Sequence, residues 1–469
     1  MSPYPFDHVA NYPRSPLHIL KAQYIGKKLA DLPTPAAILD RGKIVKNCDA
    51  MLQVCDRLGV GFRAHVKSHK TLELSRLQVG DGDGQNGGLG LGTNFIVSTM
   101  IEAEHLVEYV RSVQDGGRGA SILYGIPVPQ SSIPRLVQLA SQLAPGSVNI
   151  IIDNFDAFTK LQAALANAPE NLEIGVFIKI DTGYNRAGIK PTSPNFPPLL
   201  SAVLKSESEI SKLLLKGFYS HYGHSYAGSS PSDAASGLID ELLGLESACA
   251  FLPTSLTRKM VLSVGATPTA TAAQNMLSST SPRVQEFQDI LARLKARFKV
   301  ELHAGVYPLL DCQQVATHAR PATDRAAEGI QPLSKDSIAI RMLLEVTSVY
   351  DEREKPEALV SAGSLALGRE PCKSYPGWGI VTSDLGNSST SSVYDERGDK
   401  TGWIVGRISQ EHGILTWEGD KAKCNPLAIG EKVFVWPNHA CVAGVGFGWY
   451  AVVDGGDEIV DIWTRWRGW

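Results

Sequence analysis

The stretch Arg63-Ala64-His65-Val66-Lys67-Ser68-His69-Lys70 closes a short apolar run that begins at Gly61 and Phe62. This pattern predicts a buried β-strand that carries the amine of Lys67 to its C-terminal end. An amine that is held among other cations and partly removed from water loses its proton more readily, and the free amine attacks carbonyl groups. A solvated basic strand end would also explain this stretch taken by itself, so the interpretation depends on the rest of the chain.

Eight strand candidates follow one another along the chain, with segments of helical spacing between them. One such segment has apolar residues at Ala103, Leu106, Val107 and Val110, which is typical of an amphipathic helix. Strand and helix alternating eight times over roughly 240 residues predicts a (β/α)8 barrel, with a doubly wound open sheet as the alternative. The candidates are Arg63–Lys67, Phe95–Thr99, Ile122–Gly125, Asn149–Asp153, Val176–Asp181, Gly217–His221, Val261–Gly265 and Val300–Gly305.

The sequence pattern changes after about residue 330, where short strand candidates are separated by Gly, Pro, Asn and Asp and helical spacing is nearly absent. This predicts an all-β domain. The early strand candidate Ala36–Asp40 precedes the barrel and is expected to join that domain. We therefore predict an N-terminal segment (1–45) that contributes to the β domain, a barrel (46–325) and a C-terminal β domain (326–469). The candidates are Ile338–Tyr350, Ala358–Ala362, Gly379–Ser383, Trp403–Ser409, Lys432–Trp436 and Ile459–Trp463.

Three further segments are interpreted as connections. The glycine-rich stretch Gly80–Gly92 opens no clear helix, and we expect a flexible insertion there instead of a phosphate site. The linker between the domains is placed within Arg320–Ser334, and the polar stretch Asn387–Lys400 is expected to form a surface loop.

Composition excludes several classes of function. The chain has 469 residues, a formal net charge of -3 and a pI of about 6.4, which gives no electrostatic case for binding nucleic acid or an anionic membrane. No apolar segment reaches the ~18 residues that span a bilayer, and the N-terminus lacks the pattern of a signal peptide. Seven scattered cysteines are typical of reduced thiols, so we expect a cytoplasmic protein.

Polar residues gather at the C-terminal ends of the strand candidates, where barrel enzymes place their chemistry. The segment Lys179–Gly188 ends a strand in charge and then turns, so Arg186 can point back over the barrel mouth and bind an anionic group. The segment Gly217–Tyr226 has three tyrosines and two histidines within eight residues. Their rings suit the faces and polar edge of a flat pyridine cofactor, and pyridoxal phosphate also requires a lysine such as Lys67.

The ends of the seventh and eighth strands suit a phosphate group. Small residues in Ser263–Thr269 let backbone N–H groups approach a phosphate, and Ser and Thr add hydroxyl donors. The segment Glu301–Tyr307 supplies the opposite side, and barrels commonly hold phosphate in the loops after these two strands. An ordinary pair of glycine turns is the alternative.

The segment Asn438-His439-Ala440-Cys441 contains a candidate metal pair. On an extended chain, His439 and Cys441 would lie on one face, about 7 Å apart at their Cα atoms. Imidazole and thiolate are ligands that suit Zn²⁺, and two protein ligands imply an open, catalytic site. The spacing by itself is weak evidence, since His-x-Cys also occurs by chance.

Taken together, these segments resemble the eukaryotic D-serine dehydratases, which are zinc- and pyridoxal-phosphate-dependent enzymes of the alanine-racemase-like fold (fold type III). The resemblance runs from about Leu32 to the C-terminal tryptophans, and the motifs occur in the order of the family. The motifs are FRAHVKSHKT, FIKIDTGYNRAG, GFYSHYGHSY, LSVGATPT, ELHAGVYPLLDCQQVATH, RISQEHGIL and PNHAC.

The resemblance implies a homodimer that converts D-serine to pyruvate and ammonia. It implies that Lys67, not Lys70, bonds covalently to the cofactor and then acts as general base, and that zinc on His439 and Cys441 binds the substrate hydroxyl. Arg186 would face the phenolic oxygen of the cofactor. The remaining candidate cofactor residues are Tyr219, His221, Tyr226, Ser263, Gly265, Ala266, Thr267, His303, Gly305 and Tyr307.

Two questions stay open at this point. His303 stands where alanine racemases place an arginine against the pyridine nitrogen, so His303 and Tyr219 are rival partners for that atom. The alternatives in function are a D-threonine aldolase or a 3-hydroxyaspartate aldolase or dehydratase on the same scaffold. Alanine racemization has no use for a metal pair, and non-catalytic pyridoxal-phosphate carriers resemble single barrels without a β domain.

Overall fold

The computed structural model describes residues 9–82, 91–209, 212–277, 281–323, 330–382 and 393–469 of the 469-residue chain. Within these ranges, no helix combines the length and the apolar character needed to cross a lipid bilayer. Parts of the Gly80–Gly92 insertion, of the Arg320–Ser334 linker and of the Asn387–Lys400 loop lie outside the described residues.

Eight parallel strands close into a barrel, each pairing with the next in the chain and the last with the first. Each overlaps one of the eight strand candidates, so the (β/α)8 prediction is confirmed and the open sheet is wrong. The first strand of the chain, β1 (Ala36–Asp40), belongs to a second sheet. The barrel strands are β2 (Gly61–His65), β3 (Thr93–Val97), β4 (Ala120–Pro127), β5 (Val148–Ile152), β6 (Ile174–Lys179), β7 (Leu213–Tyr219), β8 (Val261–Val264) and β9 (Lys299–Ala304).

Helices cover the outside of the barrel because their apolar residues recur every three or four positions. In the helix that begins at Met100, Leu106 and Val110 are fully buried, as the spacing predicts, and the Thr99 side chain caps the first turn. The helices are α1 (Leu17–Tyr24), α2 (Arg41–Leu58), α3 (Leu72–Gln78), α4 (Met100–Asp115), α5 (Ile133–Ala140), α6 (Phe155–Leu165), α7 (Phe196–Glu209), α8 (Pro231–Cys249), α9 (Thr267–Ala272), α10 (Pro282–Arg297), α11 (Cys312–Val315), α12 (Ser364–Leu367) and α13 (Ala440–Ala443).

The inside of the barrel is filled by side chains at alternate strand positions. One layer is apolar and consists of Ile96, Leu123, Ile151, Phe177 and Tyr219. A buried ion pair of Arg63 and Glu301, with an N–O distance of 2.6 Å, lies within the same barrel, so the interior is a packed core. Ligand chemistry is therefore confined to the rim.

The second sheet has nine strands in the order β11-β14-β13-β12-β15-β10-β1-β16-β17 and is mainly antiparallel. As predicted, β1 joins it, pairing antiparallel with β10 and parallel with β16. Its other strands are β10 (Ile340–Tyr350), β11 (Glu357–Val360), β12 (Gly379–Thr382), β13 (Gly402–Ile408), β14 (Gly413–Glu418), β15 (Lys432–Pro437), β16 (Trp449–Val453) and β17 (Asp461–Thr464).

Two strands of this sheet were missing from the sequence interpretation. Both are apolar runs bounded by glycine and aspartate, β14 by Gly413 and Gly419 and β16 by Gly448 and Gly455, so the strand signal was present in the sequence. In the fold, β14 lies between β11 and β13, and β16 lies between β1 and β17.

Candidate active site

A cavity of about 310 Å³ opens between the C-terminal rim of the barrel and loops of the β domain. From the barrel side it is lined by loops that follow β2, β6, β7 and β9, and from the β domain by two loops. Its lining residues are Lys67, Tyr184, Arg186, His221, Gly223, Tyr226, Gln313, Glu370, Pro371, Lys373 and His439.

Lys67 reaches this cavity from the turn after β2. The turn is fixed by a hydrogen bond from Ser68 Oγ to the Gly305 carbonyl at 2.6 Å and by an ion pair between Lys70 Nζ and the buried Glu102 at 2.9 Å. A Cβ on Gly305 would lie 3.3 Å from Lys67 Cε, closer than side chains usually approach. Glycine at position 305 thus leaves room for the Lys67 side chain.

The loop after β6 places a cation on the cavity wall. Asp181 Oδ1 accepts hydrogen bonds from the backbone N–H groups of Gly183 and Asn185, which closes the turn. The guanidinium of Arg186 lies over the ring of Tyr184, 5.1 Å from its centroid, and both line the cavity. The predicted position of Arg186 at the barrel mouth agrees with this geometry.

Three stacked rings lie beside the lysine. His303 stacks on Tyr219 with centroids 4.4 Å apart and on His221 at 6.0 Å. Burial and nearby cations hold the pKa of both histidines well below the usual range, so both are neutral near pH 7.

The hydrogen bonds of the two imidazoles differ. His221 Nδ1 donates to the Gly265 carbonyl at 2.9 Å, which leaves its Nε2 as an acceptor. His303 Nδ1 contacts Ser263 Oγ at 3.0 Å, and its Nε2 has no hydrogen-bond partner among the described residues. A buried polar atom in that state is a candidate contact for a ligand.

A buried amine near the site, at Lys179, was not assigned from the sequence. Its Nζ lies 4.8 Å from the centroid of the Tyr219 ring. Burial, with the neighbouring Arg186 charge, lowers the pKa of Lys179 to about 8. Its position at the end of a strand candidate was the available signal.

The loop after β8 differs from expectation in how it uses its backbone N–H groups. Gly265 N–H donates to Glu241 Oε1 at 3.1 Å, and Ala266 N–H donates to Thr269 Oγ1 at 2.9 Å. The Thr267 hydroxyl accepts from Val306 N–H at 3.0 Å. The N–H groups of Gly265 and Ala266, which we expected to approach a phosphate, therefore shape the turn.

Besides Tyr219, the candidates include two tyrosines that have different surroundings. Tyr226 lines the cavity, and burial raises the pKa of its phenol. Tyr307 is buried in the core, with its ring edge-on to Phe62 at 5.6 Å. Tyr307 thus supports the barrel wall behind Lys67.

His439 lines the same cavity as Lys67, but the segment that contains it is not extended as predicted. His439 caps the short helix α13, and Cys441 lies within that helix, half-buried. The turn forms because the His439 carbonyl accepts from Val442 N–H and Ala443 N–H, while Asp311 Oδ2 accepts from Ala440 N–H at 2.9 Å. Over the described ranges, no group of three or more His, Cys, Asp or Glu side chains is arranged to hold a metal.

A loop of the β domain, residues 368–378, closes the opposite side of the cavity and was not predicted. The Asn438 amide donates to the carbonyls of Glu370 and Gly377, and Gln313 Nε2 donates to the Pro371 carbonyl at 2.8 Å. Lys373 Nζ donates to the Gly228 carbonyl of the barrel. Such loop residues have no periodic signal in a sequence.

Comparisons with known proteins agree with this architecture. The model of the alanine racemase N-terminal domain matches residues 39–284, and that of the serine dehydratase domain matches residues 339–453. The chain is 35% identical to a D-serine dehydratase of Schizosaccharomyces pombe, with 96% of this chain and 95% of that protein covered. It is 32% identical to a D-serine dehydratase of Saccharomyces cerevisiae, with 96% and 99% covered.

Among solved structures, a variant of a D-threo-3-hydroxyaspartate dehydratase in its metal-free form is similar, with a TM-score of 0.70 and 26% identity. The similarity covers 94% of this chain and 100% of that chain.

Proposed function

The chain belongs to the D-serine dehydratase family and is a lyase, and we propose that it converts D-serine to pyruvate and ammonia with pyridoxal phosphate and zinc. One observation carries this proposal: Lys67 and His439, which lie in different domains, line one cavity. An amine for an aldehyde cofactor and a ligand for a metal are thereby within reach of one small substrate.

The residues of the cavity fit the cofactor. Its volume of about 310 Å³ lies in the range of small-molecule sites, and Lys67 provides the amine. The Nε2 atom of His303 is buried and has no hydrogen-bond partner among the described residues. We therefore propose that His303, in preference to Tyr219, contacts the pyridine nitrogen of the cofactor. The other residues that we propose to hold or shape the cofactor site are Arg186, Tyr219, His221, Tyr226, Ser263, Gly265, Ala266, Thr267 and Gly305, with Tyr307 in support.

When bound, pyridoxal phosphate would supply the electron sink that stabilises negative charge at the substrate α-carbon. Lys67 would hold the cofactor covalently in the resting enzyme, and its Nζ, once free, would take the α-proton of the substrate. Arg186 contributes positive charge at the rim. His221, with its Nδ1 proton fixed on the Gly265 carbonyl, offers a neutral acceptor to the site.

His439 and Cys441 fit a zinc site by the chemistry of their donor atoms, an imidazole nitrogen and a thiol sulfur. The metal would supply Lewis-acid assistance to the departure of the 3-hydroxyl group. With two protein ligands, the site leaves room for solvent and the substrate hydroxyl. The metal-free form described for the D-threo-3-hydroxyaspartate dehydratase variant supports a metal in this group of proteins.

D-threo-3-hydroxyaspartate is the second candidate substrate. Besides Lys67, the cavity is lined by two cations, Arg186 and Lys373, which could pair with two carboxylates. The carboxylate of Glu370 lines the same cavity and would repel the second carboxylate of this substrate, so the cavity favours D-serine. An aldolase on the same scaffold would instead cleave the Cα–Cβ bond.

Product analysis tests the proposal. The purified protein is incubated with D-serine, L-serine, D-threonine and D-threo-3-hydroxyaspartate, with and without a chelator. We expect pyruvate and ammonia from D-serine in the absence of the chelator. Glycine with an aldehyde from D-threonine, and no pyruvate, would establish the aldolase instead.

The domain limits at residues 45 and 325, the homodimer and the cytoplasmic location are also proposals. The pairing of β1 with β10 and β16 supports an N-terminal contribution to the β domain. All seven cysteines are free thiols, which supports a reducing compartment.

A further inference from the structure

A buried carboxylate on α8 connects three loops of the barrel rim. Glu241 has no exposed surface, and its Oε1 accepts hydrogen bonds from Ser220 Oγ and Gly265 N–H, both at 3.1 Å. Its Oε2 accepts from Thr269 Oγ1 at 3.2 Å. The Ser220 hydroxyl is in turn 2.9 Å from Thr182 Oγ1. The loops after β6, β7 and β8 thus converge on one side chain.

Each of these loops carries a group that faces the cavity or fixes one that does. Arg186 follows Thr182, and His221 follows Ser220 directly. The carbonyl of Gly265 accepts the Nδ1 proton of His221. Glu241 accepts a hydrogen bond from Gly265 N–H, and the Gly265 carbonyl accepts one from His221. A shift of the Glu241 carboxylate would therefore move the His221 imidazole through a single residue.

The backbone of Gly265 has a conformation that only glycine can adopt at this position. Its φ is +142°, and a Cβ there would lie 2.2 Å from the His303 carbonyl oxygen. Any L-residue is excluded, and the tight approach to β9 requires glycine. The turn is held in this conformation by its hydrogen bonds. Glu241 accepts the one that Gly265 N–H donates.

We propose that Glu241 is a positioning residue for the cofactor end of the site, which fixes the loops after β6, β7 and β8 in the arrangement that cofactor binding requires. This inference rests on the proposed use of pyridoxal phosphate. Glu241 lies behind the loops and does not line the cavity wall, so it acts through the residues that do.

Two substitutions separate positioning from packing. Glu241→Gln keeps a carbonyl oxygen for Gly265 N–H and Ser220, and its amide can donate to Thr269 Oγ1. Glu241→Ala removes the acceptor of three buried donors, Ser220 Oγ, Gly265 N–H and Thr269 Oγ1. Glu246→Gln is the matched control, because Glu246 lies on the same helix but pairs with Arg293 on the surface.

The experiment titrates pyridoxal phosphate into the cofactor-free, full-length protein and follows the absorbance and visible circular dichroism of the bound cofactor. For Glu241→Ala we expect affinity to fall about tenfold or more, with altered circular dichroism of the fraction bound. Glu241→Gln should recover most of the affinity, and Glu246→Gln should match the wild type. Thermal unfolding of each cofactor-free variant is measured in parallel.

The outcomes are distinct. Equal affinity and circular dichroism in wild type and Glu241→Ala would overturn the inference and leave the proposed function intact. If Glu241→Ala does not fold, the test depends on Glu241→Gln. The inference is supported if Glu241→Gln has the thermal stability, cofactor affinity and spectrum of the wild type. It is overturned in favour of a packing role if Glu241→Gln is also unfolded. Failure of the wild type to bind the cofactor would overturn both the inference and the proposed function.

Discussion

Asp311 Oδ2 accepts a hydrogen bond from the backbone N–H of Ala440 at 2.9 Å, between the two candidate zinc ligands. The other oxygen of this buried carboxylate accepts from Gln314 N–H at 2.8 Å and caps α11. One side chain from the chain segment that follows the barrel therefore sets the turn that presents His439 and Cys441.

We expect Asp311→Ala to lower zinc affinity by about tenfold or more while leaving cofactor binding in place, since residues that orient metal ligands commonly have effects of this size. Zinc content after dialysis against a graded chelator measures this. Asn154→Ala, which removes the cap of α6 away from the cavity, is the control. Equal zinc retention in both variants would contradict the role of Asp311.

Lys67→Ala should abolish covalent cofactor attachment and turnover, because Lys67 is the amine that the turn after β2 holds at the cavity, with Ser68 bonded to the Gly305 carbonyl. Lys70→Ala removes the ion pair with Glu102 and should lower thermal stability but keep the attachment. Reduction with borohydride, followed by peptide mapping, identifies the labelled lysine. A label on a residue other than 67 in the wild type would refute this assignment.

Cys441→Ala should retain bound cofactor yet lose nearly all pyruvate formation from D-serine, since the metal would have one protein ligand left. Cofactor absorbance and pyruvate release are measured on the same sample. Cys424→Ala, at a thiol of similar partial exposure that lies outside the His439–Cys441 segment, is the control. Full turnover by Cys441→Ala would exclude a catalytic metal at this position.

Gly305→Ala should crowd Lys67, because the added Cβ would lie 3.1 Å from His65 Cβ and 3.3 Å from Lys67 Cε. We expect slower covalent attachment and cofactor affinity about tenfold weaker, in line with the cost of overpacking. Gly119→Ala is the control, since no heavy atom lies within 4 Å of its added Cβ. Equal attachment rates in the two variants would show that Lys67 has room to spare.

Lys179 should make stability depend on pH. Its pKa of about 8 in the folded protein lies below the ordinary value of 10.5, so between these values the unfolded chain binds more protons and stability rises with pH. The free-energy cost of burying the charged Lys179 amine is fully present below pH 8. It is roughly 3 kcal/mol, because one pKa unit corresponds to about 1.4 kcal/mol.

Lys179→Met should therefore be more stable than the wild type below pH 8, with an advantage that shrinks toward pH 10.5. Midpoints of thermal unfolding across this range measure the difference, with Lys160→Met on the exposed face of α6 as control. A difference that stays constant with pH would argue against a neutral Lys179 at high pH.

The barrel and its lysine were accessible from sequence because both depend on local patterns. Each barrel strand contains a short apolar run, and Lys67 lies in the turn that follows the first of them, so periodicity and position were sufficient. Of the two metal-ligand candidates, His439 lines the cavity with that lysine, whereas Cys441 lies within α13 and is not among the lining residues, and the extended geometry predicted for the pair was wrong.

Glu241 and Asp311 could not be assigned in this way because their partners are distant in the chain. On α8, Glu241 is one more polar residue in an amphipathic helix, and its partners Ser220, Gly265 and Thr269 come from two other loops. The helical turn at Ala440 is closed by Asp311, which no spacing within Asn438–Cys441 reveals. Contacts of this kind exist in the folded chain and have no local pattern.

The pairing of β1 with β10 and β16 has a consequence for biosynthesis. The ribosome synthesises β1 before the barrel, but both of its partners emerge after the whole barrel has been made. Asp40, the last residue of β1, also caps α2, the helix that leads into the barrel. During synthesis, β1 therefore remains unpaired and attached to the nascent barrel until β10 and β16, which follow the barrel in the chain, have been made.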